Sequence, residues 1–234
     1  MAIKINAKDH HSLKGTAKSE LAILQHISKE YSSHEGWHFV RKLVDSFAID
    51  NGGQDHVCLV FEPLREPLWL YCRRFVDGVI PSDVLKVILQ MILQGLDYLH
   101  TECQVIHTGE PDYIAINAIF LPRIDLKPSN IMVKLEDPEI LERDVRDEYD
   151  HPLPQKVLDE RTIYLSRNNY GRLLRPTGIV QITDFGLSVR GDVPHSGCIQ
   201  AELYRAPEVV LDAGYTYSAD IWSLGVMVWK HGKF

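Results

Sequence analysis

Long apolar runs are missing from this 234-residue sequence, and none approaches the roughly 20 residues that a helix needs to cross a bilayer. Cysteines are few, and the four present form no Cys-x-x-Cys pair, which argues against a zinc site and a disulfide framework. Basic residues are not in excess, because the formal net charge is -7, which disfavours general affinity for nucleic acid phosphates. These absences predict a protein of a reducing compartment, with no membrane partner and no direct nucleic-acid partner.

The composition that remains is that of an ordinary globular protein, with 45% hydrophobic and 24% charged residues. The length suffices for one large domain or for two small lobes with a buried core. Apolar residues spaced three and four apart predict a helix at about 16–29 and a second one from Ser82, which can cap it, to Leu99. A strongly apolar third helix is predicted over 217–229, and we expect it to be buried.

Short apolar segments predict strands at 1–6, 57–61 and 179–183. An acidic stretch at 136–160 precedes the last of them and contains three prolines. Because such a stretch is rich in charge and broken by proline, we expect an exposed and partly mobile insertion there.

Two short motifs carry side chains suited to phosphoryl transfer, which needs neutralised phosphates, a held metal ion and a carboxylate that accepts the hydroxyl proton. Asp125 and Asn130 stand at the Asp-x-x-x-x-Asn separation, with Lys127 between them. Asp184-Phe185-Gly186 follows a predicted strand, where the carboxylate can meet metal ions and the glycine permits unusual backbone angles. Each motif alone is only suggestive.

The order of the motifs is more specific than any one of them. Met1-Ala2-Ile3-Lys4 matches a Val-Ala-Ile-Lys strand motif at three positions, and Glu20 follows on the first predicted helix. The Asp125 and Asp184 motifs come next, and Ala206-Pro207-Glu208 closes the series. Chance agreement of the whole set is remote.

In these motifs the chain resembles eukaryotic protein kinases, and most closely the SR-protein kinase-like Ser/Thr kinases of fungi, within the CMGC group. The resemblance implies an α+β, two-lobed fold, with a partial small β lobe over 1–62 and a partial, mainly helical large lobe over 63–234. It implies ATP and Mg²⁺ as cofactors and a protein substrate, with basic Arg-Ser-rich proteins as candidates. The compartment implied is the cytoplasm with nuclear traffic, and the oligomeric state stays open.

The resemblance also implies how the small lobe would hold the nucleotide. Lys4 is expected to grip the ATP phosphates, and Glu20 is expected to orient that lysine. Phe61, Glu62 and Leu64 are similar in position to the gatekeeper and hinge, where backbone groups hold adenine.

In the large lobe, Asp125 resembles the catalytic base, and Lys127 resembles the lysine that steadies the transferred phosphoryl group. A lysine two places after the base is the pattern of Ser/Thr kinases. Asn130 and Asp184 resemble the magnesium ligands. The remaining matches are expected to shape the catalytic loop and activation segment: His107, Phe185, Gly186, Ala206, Pro207, Glu208 and Asp220.

His107-Thr108 matches a His-Thr-Asp variant that replaces the usual arginine of His-Arg-Asp. A phosphate on the activation loop would then have no arginine to pair with, so we expect activity that such a phosphate does not switch. Asp220 resembles the buried aspartate that ties down the catalytic loop, and in so apolar a helix it would be costly if unpaired.

Two insertions interrupt the resemblance. Residues 109–124 separate Thr108 from Asp125, which are adjacent in the family. Gly109-Glu110 can be encoded with a splice-donor-like sequence, so our hypothesis is a retained short intron, which a transcript that always carries these codons would reject. The second insertion, at about 136–175, resembles the acidic spacer of this kinase group.

Truncation at both ends is a further expectation from the resemblance. The chain begins at the lysine strand without the Gly-rich loop, and it stops without the later helices and any arginine there for Glu208. Ala201 stands where many kinases have a threonine in the substrate loop. We therefore expect weakened nucleotide affinity and a weakened fold.

Alternatives stay open beside an active Ser/Thr kinase. One is a catalytically impaired pseudokinase or binding module, or a truncated gene-model fragment, because the Gly-rich loop is missing and the catalytic loop is split. Another is a small-molecule kinase of the choline or aminoglycoside type, which has a similar base, asparagine and metal aspartate. That type lacks the Ala-Pro-Glu segment and the Asp-x-Trp-Ser helix, so we disfavour it.

Overall fold

The computed structural model describes only part of the chain in detail. The described residues are 1–6, 16–29, 33–50, 52, 55–108, 126–159, 161–165, 167, 173, 177–200 and 202–231. The first insertion, 109–124, and the predicted base Asp125 lie outside them, as does Ala201.

Helices and strands are mixed along the chain, as the predicted α+β class requires. In chain order they are β1 (Ala2–Ile5), α1 (Thr16–Lys29), β2 (Leu43–Asp50), β3 (Asp55–Phe61), β4 (Leu64–Pro67), α2 (Leu68–Tyr71), α3 (Ser82–Asp97), β5 (Val105–Ile106), β6 (Ile131–Lys134), α4 (Glu139–Asp150), β7 (Gln155–Leu158), β8 (Arg161–Tyr164), β9 (Val180–Ile182), β10 (Val189–Arg190), α5 (Pro207–Val210) and α6 (Ser218–His231).

The first sheet has the order β1-β3-β2 and is antiparallel throughout. Lys4 of β1 is opposite Leu59 of β3, so the lysine lies in the middle of a paired strand. Helix α1 covers the predicted residues, and its Leu24 and Ile27 are fully buried because residues three apart share one helix face. This part of the fold follows the apolar spacing of the sequence.

Helix α3 runs through the main hydrophobic core, with Ile88, Ile92 and Leu96 buried. The prediction that Ser82 caps this helix is wrong, because Ser82 is its first residue and no side chain caps it. The carbonyl of Pro81 instead accepts the first helical bond from the Leu85 amide, at 2.8 Å. Proline fixes the backbone φ of the residue before the helix.

A second sheet, in the order β4-β6-β9, connects the predicted hinge with the segments that carry the motifs. Strand β6 begins directly after Asn130, and β9 ends just before Thr183 and Asp184. Because β6 and β9 pair with Ile131 opposite Ile182, the ends that carry Asn130 and Asp184 meet at one edge of the sheet. Strands β5 and β10 pair antiparallel in a separate two-stranded sheet.

The acidic insertion is exposed, as predicted, but it is more regular than expected. It contains the twelve-residue helix α4, followed by the β7–β8 hairpin. Ile140 is its buried anchor, while most of the acidic residues face solvent. Proline at the start of α4 is compatible with a helix, since its missing N–H would be unsatisfied there in any case.

Helix α6 begins and ends within two residues of the prediction but is not buried all round. Asp220, Ser223 and Leu224 are buried, whereas Trp222 and Trp229 are 44% and 82% exposed. No helix among the described residues is long and apolar enough to span a membrane.

Candidate active site

The predicted lysine and helix carboxylate form an ion pair. Lys4 Nζ donates to Glu20 Oε1 at 2.7 Å and to Oε2 at 2.9 Å, which is a bidentate contact across β1 and α1. Glu20 lies on the buried face of α1 and is only 4% exposed, whereas the Lys4 side chain is 43% exposed. The carboxylate is therefore fixed, and the lysine presents part of its ammonium group to the neighbouring cavity.

Burial raises the pKa of Glu20 above its ordinary value, and the nearby charge and hydrogen bonds of Lys4 oppose this rise. The Asp184 carboxylate adds to the rise, because a second negative charge disfavours ionisation. Lys4 is thus the group that makes a buried carboxylate tolerable at this position.

Asp184 joins the same cluster from the end of β9. Its Oδ1 lies 3.4 Å from Lys4 Nζ, and its side chain is 52% exposed. Its φ of 65° is in the left-handed region, which is unusual for a residue other than glycine and points to a local constraint. Phe185 anchors the motif, since it is buried and packs edge-on against His107, with ring centroids 5.2 Å apart.

Asn130 is held next to Asp184 by the backbone. Its carbonyl accepts hydrogen bonds from the Thr183 amide at 2.8 Å and from the Thr183 hydroxyl at 3.1 Å. The Asn130 amide in turn donates to the Lys127 carbonyl at 2.9 Å, which closes a tight turn. The two predicted metal ligands therefore come from adjacent strand ends, as their places in the sequence allow.

A cavity of about 280 Å³ contains these groups. Its lining residues are Lys4, Glu20, Leu24, Arg41, Phe61, Ser129, Asn130, Met132, Thr183, Asp184 and Phe185. The volume is slightly below the usual range for small-ligand sites, which begins at about 300 Å³. A carboxylate and an amide oxygen are hard ligands of the kind that Mg²⁺ prefers, alongside water and phosphate oxygens, so Asp184 and Asn130 fit that ion.

Of the predicted gatekeeper and hinge residues, Phe61 lines this cavity, whereas Glu62 and Leu64 are not among its lining residues. Phe61 is buried at the end of β3, Glu62 is exposed, and Leu64 begins β4 opposite Lys134. The guanidinium of Arg41 lies 4.2 Å from the centre of the Phe61 ring, and its Nη2 donates to the Glu62 carbonyl at 3.3 Å.

Asp220 is fully buried and fully partnered. Its carboxylate accepts from the His107 amide at 2.9 Å and the Thr108 amide at 2.8 Å, and it pairs with His100 Nε2 at 2.8 Å. Burial alone would raise the pKa of Asp220, but these hydrogen bonds and the histidine charges hold it below its ordinary value. The expected cost of an unpaired aspartate is avoided, and α6 fixes the backbone just before residue 109.

The Ala206-Pro207-Glu208 motif forms the start of α5 and is tied to α6. The buried Gln200 side chain accepts from the Ala206 amide at 2.8 Å and donates to the Ala219 carbonyl and the Ser223 hydroxyl, both at 2.8 Å. Glu208 is not left without a partner, because the Ser218 hydroxyl donates to it at 2.8 Å.

The structure thus brings Lys4, Glu20, Asn130 and Asp184 to one cavity, with Phe61 at its wall. Gly186 lies at its edge, since a Cβ there would be 3.6 Å from Asp184 Oδ1 and 3.7 Å from Glu20. Sequence reasoning missed Arg41, because its partner Glu62 lies 21 positions further along the chain and no local motif links the two residues. The roles of these residues in catalysis stay predictions.

Comparisons with known proteins agree with the motif order. The protein kinase domain family matches residues 1–232. A serine/threonine protein kinase of Aspergillus fumigatus is 34% identical over 211 residues, which cover 90% of this chain and 46% of the relative. The serine/threonine-protein kinase SRPK of Physarum polycephalum is 29% identical over 247 residues, covering 98% of this chain and 53% of the relative.

A shorter match is the protein kinase dsk1 of Schizosaccharomyces pombe, which is 31% identical over 136 residues, 58% of this chain and 22% of the relative. The chain spans about half the length of the first two relatives. The chain therefore belongs to the protein kinase family, and its relatives are SRPK-like and fungal Ser/Thr kinases, as the order of its motifs predicts.

Proposed function

We propose that this protein is a Ser/Thr protein kinase that transfers the γ-phosphate of ATP to protein hydroxyl groups, with Mg²⁺ as the metal. Protein kinases as a family use ATP and Mg²⁺. The observation that carries the proposal is the cluster in which Lys4 Nζ lies 2.7 Å from Glu20 and 3.4 Å from Asp184 at one cavity. Cations and metal-holding oxygens at one site are what phosphate binding requires.

In this mechanism the residues of the chain position and neutralise the reacting groups. Lys4, oriented by Glu20, would donate to the α- and β-phosphates, and Asn130 and Asp184 would hold the metal. Once held there, the metal would supply positive charge that neutralises the phosphates. Lys127 stabilises charge on the transferred phosphoryl group, and Asp125 accepts the proton of the attacking serine or threonine hydroxyl.

Activity independent of an activation-loop phosphate is part of the proposal. His107-Thr108 provides no arginine, and the His107 ring is already held by the Thr183 carbonyl at 2.9 Å and by the Phe185 ring. These contacts order the Asp184 segment without a phosphate. We propose basic Arg-Ser-rich proteins as substrates and the cytoplasm and nucleus as compartments, on the strength of the SRPK-like relatives.

The test is transfer of labelled γ-phosphate from ATP to an Arg-Ser peptide that carries serine. We expect transfer by the wild-type chain and a loss of at least about a hundredfold in Lys4→Met, because the phosphates lose their positioned cation. Lys86→Met, at an exposed position of α3, serves as the control and keeps full activity. Binding of ATP without transfer to serine would reject the proposal in favour of a pseudokinase.

A further inference from the structure

Arg41 is a second cation in the cavity, and the proposed mechanism does not use it. Its backbone amide donates to the Ile182 carbonyl at 2.9 Å, which ties it to the strand that leads to Asp184. Its side chain reaches across the Phe61 ring to the Glu62 carbonyl, as described above. Arg41 therefore connects the metal end of the cavity with the hinge.

The surroundings of Arg41 are unfavourable for a charge that has only a structural role. Burial lowers the pKa of Arg41, and the Asp184 and Glu20 carboxylates oppose this effect. Its Nε is buried and has no hydrogen-bond partner among the described residues. A buried donor without an acceptor is costly.

The contact with Glu62 bears on how the cavity would select a purine. A 6-amino group, as in adenine, is a donor and needs an acceptor such as the Glu62 carbonyl. A 6-oxo group, as in hypoxanthine or guanine, is an acceptor and is repelled by a free carbonyl but attracted by a guanidinium. When Arg41 holds the carbonyl, the hinge loses part of its preference for the amino purine.

We propose that Arg41 is a specificity-determining residue that weakens the selection of ATP over 6-oxo purine nucleotides. The proposal rests on the proposed nucleotide-binding function of the same cavity. With Arg41 present, the 6-amino group of ATP must displace the guanidinium from the Glu62 carbonyl or share that carbonyl with it. A 6-oxo purine instead gains a hydrogen bond from the guanidinium. Removing the guanidinium frees the carbonyl for adenine and leaves the 6-oxo purine facing an acceptor.

The experiment compares MgATP and MgITP, whose bases differ at position 6 and at the adjacent N1 proton. Their dissociation constants are measured by calorimetry for the full chain and for Arg41→Met. We expect the selectivity for ATP over ITP to rise about three- to tenfold in the variant, the effect of about one hydrogen bond. Thermal unfolding of each variant checks that it is folded.

Two further variants make the experiment decisive. Arg73→Met removes an exposed arginine that stacks on Trp69 at 5.1 Å, outside the cavity, and it leaves selectivity unchanged. Arg41→Lys keeps the charge but loses the planar fork of donors, so selectivity also rises, and this variant decides if Arg41→Met does not fold.

The outcomes separate this inference from the proposed function. Equal selectivity in the wild type and in the folded Arg41 variants would overturn the inference while leaving the kinase proposal intact. Absence of binding of either nucleotide to any variant would overturn both.

Discussion

Lys4 and Lys42 show how differently one residue type behaves at two places in this protein. Lys4 has two carboxylates within 3.4 Å and is partly exposed. Lys42 instead lies over the rings of Tyr98 and Trp37, at 4.2 and 5.2 Å, and its buried Nζ has no hydrogen-bond acceptor among the described residues. Burial lowers the pKa of Lys42 from its ordinary 10.5 to about 7.

The lowered pKa of Lys42 predicts that Lys42→Met stabilises the protein by an amount that depends on pH. Between pH 10.5 and 7 the unfolded lysine binds a proton that the folded one does not, so Lys42 costs stability progressively as pH falls through this window. Below pH 7 the cost is constant. The aromatic rings offset part of this cost. We therefore expect the free energy of unfolding of Lys42→Met to exceed that of the wild type by about 2 kcal/mol at pH 6 and to be nearly equal to it at pH 10.

Urea unfolding at both pH values measures this effect. Lys86→Met is the matched control, because Lys86 is exposed on α3, and its unfolding free energy differs little from that of the wild type at either pH. A gain from Lys42→Met that is the same at pH 6 and pH 10 would show that the lysine charge is not the cause.

Residue-level predictions from the sequence succeeded where the motif itself specifies the partner. Lys4 and Glu20 were paired by motif order, and the structure joins them with two hydrogen bonds. Arg41 belongs to no motif. Its partner Glu62 becomes a neighbour only through tertiary folding, which no local pattern encodes.

At the scale of elements, prediction worked best for strongly periodic helices. Helix α1 has the predicted bounds, and the buried positions of α3 follow its three- and four-residue spacing. Strand β2 was missed because most of its side chains are exposed and give no clear alternation. Helix α4 was missed because charge and proline hid a helix that has a single buried anchor, Ile140.

The close packing of a 3-10 helix on α3 predicts that adding one methyl group at Gly36 lowers the stability of the protein. Gly36 lies in a 3-10 helix over Glu35–Phe39 that packs on α3, where a Cβ would be 1.9 Å from the Gln94 carbonyl oxygen. Because that neighbour is backbone, the two elements must move apart. We expect Gly36→Ala to lower the free energy of unfolding by about 2 to 3 kcal/mol in urea titrations.

Gly225 provides the opposite case on α6. A Cβ there meets nothing within 4 Å, so Gly225→Ala should be neutral or stabilise by up to about 1 kcal/mol through helix propensity. Equal effects of the two substitutions would mean that the Gly36 contact does not constrain the packing of the 3-10 helix on α3.

At the scale of the whole molecule, the fold brings to one cavity residues separated by most of the chain. Lys4 and Asp184 are 180 positions apart, and their juxtaposition depends on β1 pairing with β3 and on β9 pairing with β6. Asp220 separately fixes the backbone at His107 and Thr108. The family, its fold and this cluster could be predicted from motif order.

Magnesium-dependent ATP binding tests the central claim that these distant groups surround one triphosphate. Calorimetry with and without Mg²⁺ should show tighter ATP binding with the metal in the wild type, and this gain should disappear in Asp184→Asn. Asp192→Asn alters an exposed aspartate paired with Arg190 and should retain the full gain. If Asp184→Asn binds MgATP with wild-type affinity and metal dependence, Asp184 does not hold the metal and the account is contradicted.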